Sequence, residues 1–262
     1  ISTAKYDTRG NAIDQTIDNF AADGTTLLDH QVIHNEGFNA KGNAAKSTVE
    51  TYTPGKDGKL VMDGKRVTST SNFDKRGNAV DQTIDNFGAD GKTLLDQQRI
   101  HNEKFNSRGN AAKSTIETYS PGDDGKLVMD GKRVISTSLF DARGNAVDQT
   151  IDNFGADGTS LLDQQKIHNE GFNSRGNAAK STIETYSPDK SGKLVMDGKR
   201  VINTALFDAR GNAVDQTIDN FGADGTTLLD QQKIHNEGFN SRGNAAKSTI
   251  ETYSPNNAGV LV

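Results

Sequence analysis

The stretch FDARGNAVDQTIDNF at residues 140–154 returns letter for letter at residues 207–221. A looser relative, FNSRGNAAKSTIETY, begins at residue 172, between these two copies. The pattern they share starts and ends with an aromatic residue and holds a Gly-Asn pair and a threonine. It occurs eight times in the 262 residues. Because self-similarity at a fixed interval is the signature of a repeat architecture, this stretch decides the fold.

The repetition has two levels. The first Gly-Asn pair has its glycine at residues 10, 77, 144 and 211, a period of 67 residues, and a second pair follows 32 residues later in each period. The sequence is therefore one continuous repeat array over residues 1–262, with each period made of two half-units. The four periods are residues 6–72, 73–139, 140–206 and 207–262, the last one truncated.

Composition argues against a thick hydrophobic core. Hydrophobic residues make up 32% of the chain, which is low for a globular domain. The absence of cysteine excludes disulfides and thiolate zinc sites. The net charge is -5, with acids and bases interleaved, so nucleic acid is not an expected partner. No apolar run approaches the roughly 20 residues of a membrane span.

The local pattern favours strands over helices. Thr, Ile, Val and Phe prefer extended structure, and Gly or Asp-Gly interrupts the chain too often for helices of useful length. Each half-unit should supply two short strands, giving about sixteen. The predicted fold class is all-β: tandem β-hairpins in a continuous antiparallel sheet wound as an open spiral or solenoid. The alternative is a string of separate small β domains.

The FDARGN box is predicted to be a hairpin tip. Asp141 can accept backbone N–H groups of a turn, and Gly144 can adopt the left-handed conformation that closes it. A second reversal is expected at residues 155–158 in one half-unit, or after Ser187 in the longer one.

The MDGKR segment resembles a third hairpin, because Asp-Gly between apolar runs is a strong turn signal. Alignment of the half-units places Gly131 opposite Gln164, where a left-handed backbone would be strained. We therefore predict that Gly131 lies within a strand or at a bulge.

The side chains suggest how units would contact each other. All eleven phenylalanines and five tyrosines stand at the first or last position of the repeated pattern. We expect these rings to stack from unit to unit, leaving none for a separate ligand platform. Amides and hydroxyls, including Gln149, Thr150, Gln164 and Gln165, are expected to form ladders with their own copies.

The box Tyr6-Asp7-Thr8-Arg9-Gly10-Asn11, followed by Thr16, resembles the YD repeat of bacterial Rhs and wall-associated proteins and of animal teneurins. The copies at Phe73, Phe140 and Phe207 keep the aspartate and replace Tyr by Phe, whereas Phe172-Asn173 and its equivalents replace both residues. The matching motif residues are Tyr6, Asp7, Gly10, Asn11, Phe73, Asp74, Gly77, Asn78, Phe140, Asp141, Gly144, Asn145, Phe207, Asp208, Gly211 and Asn212.

The resemblance implies a sheet of β-hairpins wound in a spiral, often a hollow shell around a toxin or other cargo. It also implies a bacterial extracellular or cell-surface location, with the targeting signal outside this sequence. The half-units are longer than the usual YD repeat, and the array is more regular. No plug or distinct end region is recognisable, so an open spiral or rod is expected instead of a closed shell.

His and Glu recur two residues apart, a spacing that puts both on one face of a strand. The pairs are His34 and Glu36, His101 and Glu103, His168 and Glu170, and His235 and Glu237. The spacing allows a metal site or an acid–base pair. Four identical copies on a regular surface, however, favour a structural cross-strand His–Glu contact.

Two further motifs have simple explanations. The segment Asn153–Gly158 distantly resembles a calcium loop, but its acidic ligands are too sparse, which favours an Asp-Gly turn. Arg143 and Arg175, like their copies, could line a basic stripe, but Asp141 and Asp148 can neutralise them.

No catalytic, cofactor or metal site is predicted. The leading hypothesis is a non-enzymatic structural segment, a spacer, stalk or shell wall, of a larger bacterial protein. Its partners would be neighbouring repeats of the same parent chain, with enclosed cargo, a glycan or a surface protein as further possibilities. The rival is a multivalent module that binds carbohydrate or a protein. An enzyme is a remote third. Exposed aromatic residues in a repeated groove would favour sugar binding.

Overall fold

The structure is a computed structural model, and it describes residues 1–21, 23–240, 243–256 and 258–262. Sixteen strands form one open antiparallel sheet in which each strand is hydrogen-bonded to its neighbours in chain order. The described residues contain no helix, and hence none that could cross a membrane. The predicted fold class and number of strands are confirmed.

The strand bounds follow the 67-residue period, as the three 14-residue strands β5, β9 and β13 show. The strands are β1 Ser2–Tyr6, β2 Ala12–Phe20, β3 Leu27–Glu36, β4 Lys46–Pro54, β5 Leu60–Phe73, β6 Ala79–Phe87, β7 Leu94–Phe105, β8 Ala111–Pro121, β9 Leu127–Phe140, β10 Ala146–Phe154, β11 Leu161–Glu170, β12 Lys180–Pro188, β13 Leu194–Phe207, β14 Ala213–Phe221, β15 Leu228–Glu237 and β16 Lys247–Tyr253.

The chain divides into two compact units. The first comprises residues 1–133 and 155–158, and the second comprises residues 134–154 and 159–262. Equivalent strands keep the same register in each unit. Asp14 of β2 lies opposite His34 of β3 in the first unit, and Asp148 of β10 lies opposite His168 of β11 in the second.

The FDARGN box forms the hairpin tip that the sequence predicts. Asp141 Oδ1 accepts the backbone N–H groups of Arg143 and Asn145, both at 2.8 Å. Gly144 has φ of 85° and donates its N–H to the Asp141 carbonyl at 3.0 Å. A side chain with a Cβ is strained in this conformation, so glycine suits the position.

Gly131 lies inside strand β9, as predicted. Its copies show why the strand holds a glycine there. Thr51 pairs with Gly64 and Tyr52 pairs with Met62, so one extra residue forms a bulge between Met62 and Gly64. A Cβ at Gly64 would lie 3.2 Å from the carbonyl oxygen of Phe87 on the next strand. The close approach of the two backbones therefore favours glycine.

The described residues form no apolar core. No hydrophobic residue of the described chain is buried, and the buried polar side chains are the equivalent threonines Thr70, Thr137 and Thr204. The low hydrophobic content thus corresponds to a fold without an apolar core. Stability must come from contacts between adjacent strands, as in other repeat architectures.

The two faces of the sheet differ in chemistry. Residues directly opposite in an antiparallel pair share a face. We call the face that carries Asp148, His168 and Thr182 the charged face. The opposite face, which carries Ile167 and Gln149, is called the amide face.

Two contacts that were expected between copies of the repeat are seen between neighbouring strands with other partners. The rings of Tyr52 and His30 have centroids 6.2 Å apart, and a cation covers each of five other rings. The pairs, with distances from the cation to the ring centroid, are Lys65 and Phe87 at 5.6 Å, Arg99 and Tyr119 at 4.5 Å, Lys166 and Tyr186 at 4.7 Å, Lys199 and Phe221 at 4.6 Å, and Lys233 and Tyr253 at 5.0 Å.

The prediction that amide side chains form ladders with their own copies is also wrong. Gln149 Nε2 donates to Thr137 Oγ1 at 3.1 Å, and Gln164 Nε2 donates to Asp152 Oδ1 at 2.7 Å. Strands pair in chain order, which places the copies four strands apart and makes the neighbours of each side chain unlike residues.

Candidate functional site

The hairpin tips are the first candidate site, because they contain the motif residues. The Gly-Asn turns lie at one margin of the sheet, which we call the tip margin. In the four tips that carry an aspartate, it is bound by the asparagine of its own turn. Asn212 Nδ2, for example, donates to Asp208 Oδ2 at 2.8 Å, and this bond holds the pKa of Asp208 below its ordinary value.

Within each unit, tips are also bound to the next tip along the chain. Arg143 Nη2 donates to the Phe172 carbonyl at 2.7 Å, and Arg143 Nη1 donates to the Asn173 carbonyl at 2.8 Å. Asn177 Nδ2 then donates to the carbonyl of Gly211 at 2.7 Å. The motif side chains therefore link hairpins about 30 residues apart.

The first unit shows the same links. Arg9 donates to the carbonyls of Phe38 and Asn39, each at 2.9 Å. Asn43 Nδ2 donates to the Gly77 carbonyl at 2.7 Å, and Arg76 Nη1 donates to the Asn106 carbonyl at 2.8 Å. The same side chains thus perform the same contacts in both units.

The arginines were expected to be neutralised by nearby acids, and this holds only in part. Arg143 Nε lies 3.9 Å from Asp141 Oδ2, but the expected second acid, Asp148, pairs with His168. Arg175 Nη2 donates to the Ala209 carbonyl at 2.7 Å. Arg242, the last copy of Arg175, lies outside the described residues.

The opposite margin, which we call the acid-turn margin, carries the Asp-Gly turns. Asp224 Oδ1 accepts the N–H groups of Thr226 and Thr227 at 2.9 and 2.8 Å, and its Oδ2 accepts the Thr227 hydroxyl. Hydrogen bonds from Thr227, led by its hydroxyl, lower the pKa of Asp224 to about 2. A carboxylate satisfied by its own turn supports the prediction of an Asp-Gly turn over a calcium loop.

The predicted His–Glu contact is wrong. His168 Nδ1 lies 2.6 Å from Asp148 Oδ1 on the preceding strand, and Glu170 Oε1 accepts Lys180 Nζ of the following strand at 2.6 Å. The copies His34, His101 and His235 likewise contact Asp14, Asp81 and Asp215. Glu36, Glu103 and Glu237 pair with Lys46, Lys113 and Lys247.

The His and the Glu that stand two residues apart therefore contact different neighbouring strands. The lysine hydrogen bond lowers the pKa of Glu170, which keeps this carboxylate ionised and paired. Among the residues that the structure describes, no three His, Asp or Glu side chains form a cluster that could hold a metal ion.

A depression on the amide face is a candidate that the sequence did not reveal. It lies beside the bulge glycine in both units and has a volume of about 470 Å³ at Gly64 and about 450 Å³ at Gly198. The polar residues that line the second copy are Gln165, Thr185, Asp197, Lys199, Arg200 and Asn220. The first copy has Gln31, Thr51, Asp63, Lys65, Arg66 and Asn86 at the corresponding positions.

Sequence reasoning located the bulge but not this lining. The lining comes from four consecutive strands, β11 to β14, and its outer residues Gln165 and Asn220 are far apart in the chain. A signal was nevertheless present, because a glycine inside a strand often marks a close backbone approach or a gap in the side-chain layer.

Comparison with models of known protein families finds no match to this chain, and comparison with curated proteins finds none either.

Proposed function

We propose that the chain is a non-enzymatic structural segment, a spacer, stalk or wall, of a larger bacterial secreted or cell-surface protein built from YD-like repeats. The observation that carries this proposal is the series of bonds from tip to tip. They employ the asparagine and the arginine of the repeated box, so the motif residues act in assembly of the sheet.

The repetition of the chemistry supports the same conclusion. A catalytic centre needs unlike groups that converge on one pocket. Here the repeated histidine contacts an aspartate in four copies with equal geometry, 2.6 Å between Nδ1 and Oδ1 in each, and His30 makes the same contact with Asp18. An array of identical contacts is suited to extending a surface, not to forming one reactive site.

No apolar residue of the described chain is buried, so the stability of each repeat depends on its neighbours. A strand that has no second layer to pack against gains its stability from the strand on either side. The number of periods would then set both the length of the segment and its stability, which are the properties that a spacer or wall needs.

The proposal is tested by varying the number of periods. Chains of one, two, three and four 67-residue periods should show a melting temperature that rises with each added period, because each addition creates a new interface between repeats. A single period, residues 73–139, should be unfolded or marginally stable. The radius of gyration from X-ray scattering should also grow with each period.

An opposite result is equally clear. If one period folds alone and melts at the same temperature as four, the repeats are independent beads and the continuous structural segment is wrong.

A further inference from the structure

The two faces of the sheet differ in charge, and strand β11 shows the pattern. Lys166 and His168 lie on the charged face, whereas Gln165, Ile167 and Asn169, which alternate with them, lie on the amide face. Alternation of this kind is typical of an antiparallel sheet with one face toward water and the other packed against a second layer. No hydrophobic residue of the described chain is buried, so the amide face holds its aliphatic side chains partly exposed.

A row of isoleucines crosses the amide face of the second unit. Ile167 lies directly opposite Ile183. Ile183 pairs with Arg200, and Ile202 lies two residues farther along β13, within diagonal reach of Ile183. We call this row the aliphatic band; from β11 to β16 its members are Ile167, Ile183, Ile202, Ile218, Ile234 and Ile250.

The first unit carries the same band. From β2 to β7 its members are Ile17, Ile33, Val49, Thr68, Ile84 and Ile100. Each strand thus places one β-branched residue in the row, and the branched side chain packs well on a pleated surface. Because the band occurs at equivalent positions in both units, it belongs to the repeat itself.

The polar groups beside the band are bound within the face. Gln149 Nε2 donates to Thr137 Oγ1 at 3.1 Å, and Asn169 Nδ2 donates to the Ala146 carbonyl at 3.1 Å. The Ser181 hydroxyl donates to Asn169 Oδ1 at 2.6 Å. A covering layer would therefore displace little hydrogen bonding to water, and burial of this face costs less than burial of unpaired polar groups.

The exposed area of the chain indicates how large a covering layer would be. The chain has a mass of 28.1 kDa and exposes 15334 Å². Two globular domains that share this mass equally would expose roughly 13,400 Å², so the chain exposes roughly 1,900 Å² more. If two chains each covered that excess, the interface would total roughly 3,800 Å², which is typical of an obligate homodimer.

We propose that the aliphatic band packs against the same band of a second copy of this chain, so that two sheets meet amide face to amide face. A row of like side chains at regular intervals is complementary to itself, because each branched side chain fits between two members of the facing row. The same patch then serves both copies, as in a two-fold symmetric dimer. The charged faces remain in water.

The test is sedimentation velocity of the full chain at concentrations from about 1 to about 100 µM. We expect a species with twice the 28.1 kDa mass of one chain. The double variant Ile33→Lys/Ile202→Lys should raise the dimer dissociation constant about a hundredfold or more, because each lysine would be buried without a partner.

The matched control places the same charges on the adjacent residues, which point to the other face. Val32→Lys/Val201→Lys should leave the dissociation constant unchanged. Arg99, Lys166 and Lys233 occupy the position of Val32 in the other periods, so the strand accepts a cation there.

A milder variant guards against loss of folding. Thr68 occupies the position of Ile202 in the first period, so threonine is compatible with the band. Ile33→Thr/Ile202→Thr should raise the dissociation constant about tenfold, because apolar area is lost at the interface without a change of charge. Thermal unfolding checks that each variant is folded.

Three results would overturn the proposal. A mass of one chain at every concentration would mean that the face has another partner or none. A dimer that the isoleucine and valine variants weaken equally would lie on another surface. A mass that rises beyond two chains with concentration would indicate association through the edges of the sheet. The proposed structural role is judged separately, by the dependence of stability on the number of periods.

Discussion

The two margins of the sheet solve the same problem, reversal of the chain, with different contacts. At the acid-turn margin, Asp224 binds the N–H groups of Thr226 and Thr227 inside its own turn. At the tip margin, Arg143 and Asn177 also reach the backbone of the following tip. The turns at one margin form hydrogen bonds within themselves, and those at the other margin also form hydrogen bonds to the next hairpin.

This difference shows which margin holds each hairpin in a fixed position relative to the next. A self-contained turn tolerates changes in its neighbours, whereas a linked tip requires the next tip at a fixed position. The half-units agree with this reading. Their acid turns vary, with SPGDDG in one half-unit and GADG in the other, while the Gly-Asn pair is present in all eight.

The largest expected effect on stability comes from replacing a glycine by alanine, and this change can be compared at one glycine of each margin. Gly176 and Gly192 have similar φ values, 84° and 81°. A Cβ at Gly176 would lie 2.6 Å from Asn145 Oδ1 of the preceding tip, whereas one at Gly192 meets nothing within 4 Å. Gly176→Ala should lower the free energy of unfolding by about 3 kcal/mol, and Gly192→Ala by about 1 kcal/mol. Urea denaturation measures both, and equal losses would refute packing between tips.

A smaller effect on stability is expected at the residue that precedes a tip. Gly37, Gly171 and Gly238 precede three tips with φ near 68°, and the equivalent residue in the second period is Lys104 with φ of 57°. Lys104→Gly should raise the free energy of unfolding by about 0.5 to 1 kcal/mol, since relief of left-handed strain outweighs the added freedom of the unfolded chain.

The reverse substitution is the matched control for that position. Gly171→Lys should be destabilising, because its Cβ would also lie 3.0 Å from the Cβ of Ala179. Thermal unfolding compares the two variants. Stabilisation by Gly171→Lys would show that the glycine is not needed at this entry.

The smallest effect per site is expected from pH. Hydrogen bonds in the acid turns, the threonine hydroxyl bond first, lower the pKa of Asp23, Asp90 and Asp224 from 3.8 to about 2. A carboxyl whose pKa is lower in the folded state adds stability that is present above pH 4 and is lost as the pH falls toward 2. The urea midpoint should therefore decrease over this range.

Asp224→Asn should reduce that decrease, because the amide does not titrate. The contribution of each turn is small, since these carboxylates are exposed to solvent. A midpoint that stays constant from pH 5 to pH 2 would show that the turn bonds do not stabilise the fold.

Sequence reasoning was most accurate where the interacting residues are close in the chain. The tip geometry of Asp141 and Gly144 depends on a turn of a few residues and was predicted. A glutamate was predicted as the cross-strand partner of His168, but the partner is Asp148, 20 residues away. Two strands can share a face pattern and still pair in different registers, so spacing within one strand does not identify partners across strands.

The sequence by itself determined the period, the all-β class, the number of strands and the positions of the reversals. These follow from turn residues and β-forming residues that act over a few neighbours. Only the tertiary structure decided the register in which neighbouring strands pair. That register places Arg143 against Phe172 and Asn173, sets each His beside an Asp, and opens the gap over Gly198. Its physical basis is cooperative: bulges, turn lengths and side-chain contacts on many strands must be satisfied together.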